Sequence, residues 1–430
     1  MLESLELPPE GERALLVGIE YPKHTMGEAA TLLDELRELV TNLGLVVADA
    51  QLVRLREPHA RFLIGSGKAE ELMALAKTLD CGTIIFDDDL APAQQRNWQM
   101  ECGLSIMDRQ EVILDIFSRR AHTKEANLQV ELARLEYALP RLRNAWSHLS
   151  RQRGGGSVTQ RGEGEAQLEL DHRMARDRIA KLKRELEEVV KQRATQRKLR
   201  QRIPVPTAAI VGYTNAGKST LLRALTGANV YVADKLFATL DPSTRQLILP
   251  DGQKLLVTDT VGFVRRLPHR LVEAFKATLE EAVQADFLIH VIDASSPDAA
   301  EQAQTTLNVL KELGAEHKPI LTIHNKLDKL DQSDHLEFRD RRDQQSIAIS
   351  AATGEGIPEL LTALSELTLG SGVVTQLLIP HSRYDIIHRL HSNGCVREEK
   401  ATDDGVLIVG CIPQRLRSLV EPFLTTIATA

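Results

Sequence analysis

Between Gly212 and Ser219 the chain reads G-Y-T-N-A-G-K-S, which satisfies G-x-x-x-x-G-K-[ST]. Two glycines at that spacing keep side chains away, so the backbone N–H groups of Gly212, Tyr213, Thr214, Asn215, Ala216 and Gly217 can wrap phosphate oxygens. Lys218 can reach the β and γ phosphates as a point charge, and the Ser219 hydroxyl can ligate Mg²⁺. The apolar run A-A-I-V before the loop reads as a buried strand. L-L-R-A-L-T-G after it reads as a helix, whose N-terminus also favours an anion. This context predicts a nucleoside triphosphate site.

Four more stretches follow in an order that decides which nucleotide. Asp259-Thr260-Val261-Gly262 ends a strand as D-x-x-G, where the carboxylate would hold Mg²⁺ through water and the Gly262 N–H would meet the γ-phosphate. Asn325-Lys326-Leu327-Asp328 ends another as N-K-x-D. Asp328 can accept from the guanine N1–H and N2–H₂, donors that adenine lacks, while Asn325 braces the loop and the Lys326 stem lies along the base. Ser350-Ala351-Ala352 can offer a backbone N–H to the guanine oxygen. Thr239, within Phe237-Ala238-Thr239-Leu240-Asp241, is placed to give Mg²⁺ a second hydroxyl when a γ-phosphate is present. The chemistry therefore falls to Lys218, Thr239, Asp259 and Gly262, with GTP as substrate.

Two residues depart from the commonest GTPase pattern. Phe263 stands where many such proteins carry a glutamine that orients the attacking water, and a phenyl ring can make no such hydrogen bond. Slow turnover of the free protein is the expectation. Asn215 fits loops in which an asparagine helps to hold K⁺ beside the phosphates, a charge that would partly replace an arginine finger. Hydrogen bonding within its own loop is the other reading.

These residues need rigid elements around them, and 430 residues exceed what one hydrophobic core serves. With 43% hydrophobic and 26% charged residues, the composition is that of a soluble globular protein, and no apolar run is long enough to span a membrane. The acidic start M-L-E-S-L-E-L-P-P-E-G-E lacks the features of a secretory signal. Cys81, Cys102, Cys395 and Cys411 show no C-x-x-C spacing and read as reduced thiols, not a zinc site. The net charge of −7 is unevenly spread: residues 111–202 hold about eight excess positive charges, as a segment facing a polyanion would.

Four domains are expected. Residues 1–117 alternate strands such as A-L-L-V-G-I-E and G-T-I-I-F-D with helical patterns, which predicts a small α/β domain with a parallel sheet. Within it, F-L-I-G-S-G-K ends at Lys68 and reads either as a structural turn or as an anion site. Residues 118–202 are long, charged and helical in period, an antiparallel hairpin whose connection R-Q-R-G-G-G-S-V-T-Q-R-G-E-G-E has five glycines. Such a tip suits threading into structured RNA, and a solvated spacer is the alternative. Residues 203–369 hold the loops above in a doubly wound sheet of about six strands, including a β-hairpin turning at D-G. Residues 370–430 form a small α+β appendage whose His381, His388 and His391 read as surface histidines.

The set G-Y-T-N-A-G-K-S, F-A-T-L-D, D-T-V-G-F and N-K-L-D, preceded by F-L-I-G-S-G-K and the Gly-rich connection, resembles the HflX family of ribosome-associated GTPases over nearly the whole chain. Glu163 and Ala166 stand where the family loop usually has proline and threonine. The resemblance implies a cytoplasmic, monomeric GTPase that inserts in no membrane and binds the large ribosomal subunit and its RNA. It further implies that the arm is pushed toward the RNA-rich centre and that stalled ribosomes are split. Two rivals are an ATP-driven RNA-remodelling protein with a second nucleotide site at Lys68, and a non-enzymatic RNA-binding scaffold.

Overall fold

The structure is a computed structural model that describes residues 11–22, 24–25, 27–145, 170–189, 191, 205–227, 237, 242–266, 281–331, 346–369, 374–392, 396–411 and 419–424. The chain divides into two compact units, one of residues 1–191 with 235–240 and 265–276, the other of the remainder.

The first unit is built on four parallel strands, β1 (Arg13–Glu20), β2 (Val46–Arg54), β3 (Thr83–Phe86) and β4 (Ser105–Asp108), in the order β2-β1-β3-β4. Because β1 and β3 are flanked on both sides they are continuous apolar runs, whereas edge strand β2 is half-buried and carries polar residues. Helices α1 (Glu28–Asn42), α2 (Ser66–Thr78), α3 (Pro92–Cys102) and α4 (Arg109–Arg120) intervene or follow. In α1 the buried residues Leu32, Leu33, Leu36, Leu39 and Val40 recur at helical spacing and give the helix one apolar face. Trp98 is fully buried among Phe62 and Phe86, and its indole N–H donates to the Phe62 carbonyl. Neither β4 nor α3 stands out in the sequence, since both are short and α3 buries two glutamines, Gln94 and Gln95.

Helix α5 (Lys124–Ala145) and a sixth helix, α6 (residues 170–189), form the described part of the hairpin. Leu128, Leu132 and Leu135 of α5 pack with Leu182 and, at the rim, Ile179, Leu186 and Val189 of α6. Arg178 grips Glu131 with two hydrogen bonds of 2.7 and 2.8 Å, and Lys183 pairs with Glu136. The Gly-rich connection lies outside the described residues.

In the second unit β5 (Thr207–Gly212), α7 (Lys218–Thr226), β6 (Ser243–Ile248), β7 (Lys254–Asp259), β8 (Phe287–Asp293), α8 (Ala299–Glu312), β9 (Ile320–Asn325), β10 (Ser346–Ala348) and α9 (Ile357–Leu369) follow in turn. Six strands order as β10-β9-β8-β5-β7-β6, all parallel except β6, which returns against β7 through the D-G turn. The expected hairpin and strand number are therefore observed. Strand β5 sits where the connections reverse direction, the place at which open α/β sheets bind ligands beyond their carboxyl ends.

Next come β11 (Val374–Ile379), α10 (Tyr384–Ser392), β12 (Val396–Thr402) and β13 (Gly405–Cys411), an antiparallel sheet ordered β11-β13-β12 over its own small core. Glu421–Phe423 is a short 3₁₀ turn, and residues 412–418 lie outside the described residues. His391 does face an acid, Glu399 at 2.7 Å, supplied by the neighbouring strand and so invisible as local spacing. Among the described residues no group of acidic, His or Cys side chains is arranged to hold a metal ion, and no helix is long and apolar enough to cross a membrane.

Candidate functional site

The carboxyl ends of β5, β7, β8 and β9 converge on the phosphate loop. Strand β5 delivers Gly212, Tyr213, Thr214, Asn215 and Ala216, and Gly217 then caps α7 with φ of 95°. A Cβ there would be strained and would collide with the Asn325 amide, so only glycine lets the N-K-x-D loop close on the phosphate loop. Asn325 makes that closure: its Nδ2 donates 2.8 Å to the Ala216 carbonyl while its Oδ1 accepts 3.0 Å from the Ala351 N–H. One side chain thus joins three motifs, one of them 109 positions away in the sequence and another 26.

Lys218 is buried, and its Nζ donates to the carbonyls of Tyr213 at 2.7 Å and Gly212 at 3.2 Å. Burial pulls its pKa down to about 8, against which Asp259 pulls up and Lys326 pushes further down. Such an ammonium, held by carbonyls and short of full charge compensation, is poised for an anion.

Ser219 Oγ donates 2.7 Å to Asp259 Oδ2, so the two residues expected at Mg²⁺ face one another. A hydroxyl beside a fully buried carboxylate is a hard oxygen pair of the kind Mg²⁺ takes, and these residues fit that ion. Thr260 Oγ1 donates 2.6 Å to the Ile210 carbonyl, locking β7 to β5, and Val261 is buried. Gly262 approaches the loop so closely that a Cβ would stand 2.7 Å from Thr214 Cα and 2.9 Å from Lys218 Nζ.

Phe263 is buried under this corner with Ala209, Val211, Ala282 and Leu288. Its backbone bridges the loop: its N–H donates 3.1 Å to Gly212, and its carbonyl accepts 2.7 Å from Thr214. The ring is a structural wedge in this apolar cluster. Asn215 is exposed with φ of 59°, a left-handed position that asparagine tolerates.

At the N-K-x-D turn, Asp328 is exposed and accepts 2.6 Å from Ser350 Oγ, which orients its carboxylate. Lys326 also adopts a left-handed φ, 69°, and its Nζ pairs with Asp293 at 2.6 Å. Leu327 is buried beneath the turn. The Ala351 N–H is given to Asn325 and the Ser350 N–H to the Glu355 carbonyl, so of Ser350-Ala351-Ala352 two amides are engaged before any base arrives. Asp293 was not among the expected residues, although a carboxylate closing F-L-I-H-V-I-D at a central strand's carboxyl end is a legible signal. Another omission is His290, buried in the same strand with its Nε2 unpartnered and its pKa lowered to about 4 by burial, then by His324 and Lys218.

Phe237 is described; Ala238, Thr239, Leu240 and Asp241 lie outside the described residues. Lys68 sits in the first turn of α2 and pairs with Glu71 at 2.6 Å.

The assembled loops match known proteins over nearly the entire chain. Four family descriptions fit in succession: GTP-binding GTPase N-terminal at residues 30–118, GTP-binding GTPase Middle Region at 120–200, 50S ribosome-binding GTPase at 207–326, and HflX C-terminal domain at 335–412. A GTPase HflX of Akkermansia muciniphila is 48% identical, covering 99% of each chain. The chain belongs to the HflX family of GTPases. It is a P-loop GTP hydrolase of mixed α/β, multidomain architecture. GTPase HflX of Escherichia coli K12 is 41% identical over 92% of each chain. A GTP-binding protein of Sulfolobus solfataricus, solved with GDP, is 26% identical, with a TM-score of 0.45 over 83% of this chain and 98% of that one.

Proposed function

We propose that this chain binds the large ribosomal subunit and uses GTP to remodel or split ribosomes in the cytoplasm, acting as a monomer on ribosomal RNA. The observation that carries the reading is the paired α5–α6 stem, closed by Arg178–Glu131 and Lys183–Glu136, whose two helices are joined in sequence by the basic Gly-rich stretch. The family description matched at 207–326 names ribosome binding and supports it. In this reading 1–117 is the α/β domain, 118–202 the arm, 203–369 the G domain and 370–430 the appendage.

At the nucleotide, Lys218 neutralises charge between the β and γ phosphates and the Gly262 N–H meets the γ-phosphate. Ser219 and Thr239 hold Mg²⁺ directly and Asp259 holds it through water, the ion supplying further charge neutralisation. Asp328 reads guanine; Asn325 keeps the loops together. With Phe263 turned into the core, water is oriented poorly, so free turnover is slow and the large subunit accelerates it. Asn215 helps to hold K⁺, which makes turnover faster in KCl than in NaCl at equal ionic strength.

Deleting residues 154–164 tests the arm. GTP affinity should stay within about threefold, because no phosphate contact is expected of that connection, while splitting of ribosomes is abolished. Splitting at the unmodified rate would refute the proposal. The ATP reading loses support from the Lys68–Glu71 pair, and ATP turnover that survives Lys218→Ala but disappears with Lys68→Ala would restore it.

A further inference from the structure

The turn that carries Asn325, Lys326, Leu327 and Asp328 is fixed along its backbone by neighbours within the second unit. Leu327 is buried and its N–H donates 3.2 Å to the Ile349 carbonyl, while the Lys329 N–H closes back on the Lys326 carbonyl at 3.0 Å. The Asn325 side chain is held by Ala216 and Ala351, and that of Asp328 by Ser350. None of these contacts fixes the flexible stem of Lys326, which ends in a point charge.

The missing constraint comes from Asp293, the last residue of β8. It stands in register with Asn325 across the parallel strands β8 and β9, and the Ala294 N–H donates 2.9 Å to the Asn325 carbonyl, so the two strand ends are stitched together. Asp293 divides its oxygens between two tasks. Oδ1 accepts 3.0 Å from the Ser295 N–H and 2.6 Å from the Ser295 hydroxyl, which sets the plane of the carboxylate, and Oδ2 takes Lys326 Nζ at 2.6 Å. The Asp293 side chain is 16% exposed and that of Lys326 15%, so solvent ions screen the pair little. This tether competes with a second destination. After burial, Lys326 is the group that lowers the Lys218 pKa further, so its ammonium lies within electrostatic reach of the phosphate loop. The carbonyls of that loop, and the phosphates of a nucleotide, would attract an ammonium left free, and its stem would follow.

We propose that Asp293 is a positioning residue for guanine binding: by holding the Lys326 ammonium at the end of β8, it keeps the Lys326 stem in place as an apolar platform for the base. This rests on the expectation that the stem lies along guanine, and deepens it. The platform is set before the nucleotide arrives, so binding does not have to immobilise a long side chain. Because the base is held alike before and during phosphoryl transfer, the contribution is to affinity and not to the chemical step.

In the full chain, Asp293→Asn keeps an oxygen for Ser295 and removes the charge that holds Lys326. It should weaken GDP and GTP alike by about tenfold, the cost of ordering one long side chain on binding, and raise KM with kcat unchanged. A loss greater for GTP than for GDP would put the freed effect at the phosphates, and a loss in kcat alone would put it in the chemistry; either overturns the proposal. Lys326→Met keeps a stem without the ammonium and should lose as much affinity, and Asp293→Asn added to it should cost nothing further. A further loss in that background would make Asp293 a brace of its own loop and refute the tether. Lys326→Gly is the control for the underlying expectation, because glycine accepts the left-handed φ of 69° and only the stem is removed. If Lys326→Gly weakens GDP while Asp293→Asn leaves it intact, the positioning role fails alone. If Lys326→Gly binds GDP as the unmodified chain does, the stem does not serve the base and the tether falls with it.

Discussion

Lys218 and Arg141 are both cations withdrawn from water, one in each unit, and they are compensated in different ways. Arg141 of α5 lies over the Tyr137 ring and donates to Asp108 at 3.0 Å, to the Leu90 carbonyl at 3.0 Å and to Gln95 at 2.8 Å. Asp108 in turn accepts from the Leu90 N–H and, as the cap of α4, from the Glu111 N–H. Arg141 and Asp108 are thus each other's charge partner within the protein. Around Lys218 the partners are two carbonyls, and the carboxylate nearest in influence, Asp259, is bonded to Ser219. Burial against carbonyls alone fits the proposed phosphate site, and burial against a carboxylate marks the anchor that roots the arm.

Replacing each cation by methionine should separate the two cases. Lys218→Met is expected to cut GTP turnover by about 10²–10³-fold, the cost of losing a preorganised charge at the phosphates. It should not lower the thermal midpoint of the ligand-free protein, since the substitution removes a desolvated charge. A destabilised but active Lys218→Met would break the comparison at its stronger end.

Arg141→Met should do the reverse. Stripping the partner from buried Asp108 is expected to destabilise the first unit by about 3–5 kcal/mol, with the adjoining Asp108→Asn recovering most of it. Trp98 is fully buried in this unit, so denaturation followed by its intrinsic fluorescence, with Trp146 replaced by Phe, reads the unit selectively. GTP turnover of the folded fraction should be normal. Loss of turnover without loss of stability would show that the cluster serves the nucleotide after all.

The same contrast explains what could be read from the sequence. Gly217, Lys218, Asp259, Asn325 and Asp328 stand out in the sequence because their motifs have fixed residue types at fixed places in a strand-loop-helix order, and the structure brings them to one end of the sheet. The six-stranded sheet followed from the same order, strand by strand. What was not legible depends on partners far apart in the chain with no ligand to dictate them. Arg141 and Asp108 meet across two elements, and Arg109 and Asp87 across another two. A charged helix such as α5 ordinarily predicts a solvated face, yet Glu125, Gln129 and Tyr137 on it are buried. Asp293 lies between the cases, local in position but meaningful only beside Lys326.

Glu111 offers the finest test, because its environment changes proton binding without breaking an ion pair. It accepts 3.0 Å from Gln95 Nε2 and 3.2 Å from the Tyr137 hydroxyl. Burial raises its pKa to about 8, with Asp108 and Asp115 adding to the rise and Arg141 opposing it. The folded protein therefore holds this proton more tightly than the unfolded chain, where the carboxyl titrates near 4.5. By linkage its contribution is complete below that value and is lost as the pH rises through about 8. Asp115, raised to about 6 mainly by burial, adds the same sign over a lower window. Glu111→Gln keeps the shape and stays neutral, so fluorescence-monitored stability should fall less between pH 5 and pH 9, by on the order of 2 kcal/mol. A variant with the same pH slope as the unmodified protein would mean that the cluster is charged throughout and that Arg141 compensates more than one carboxylate.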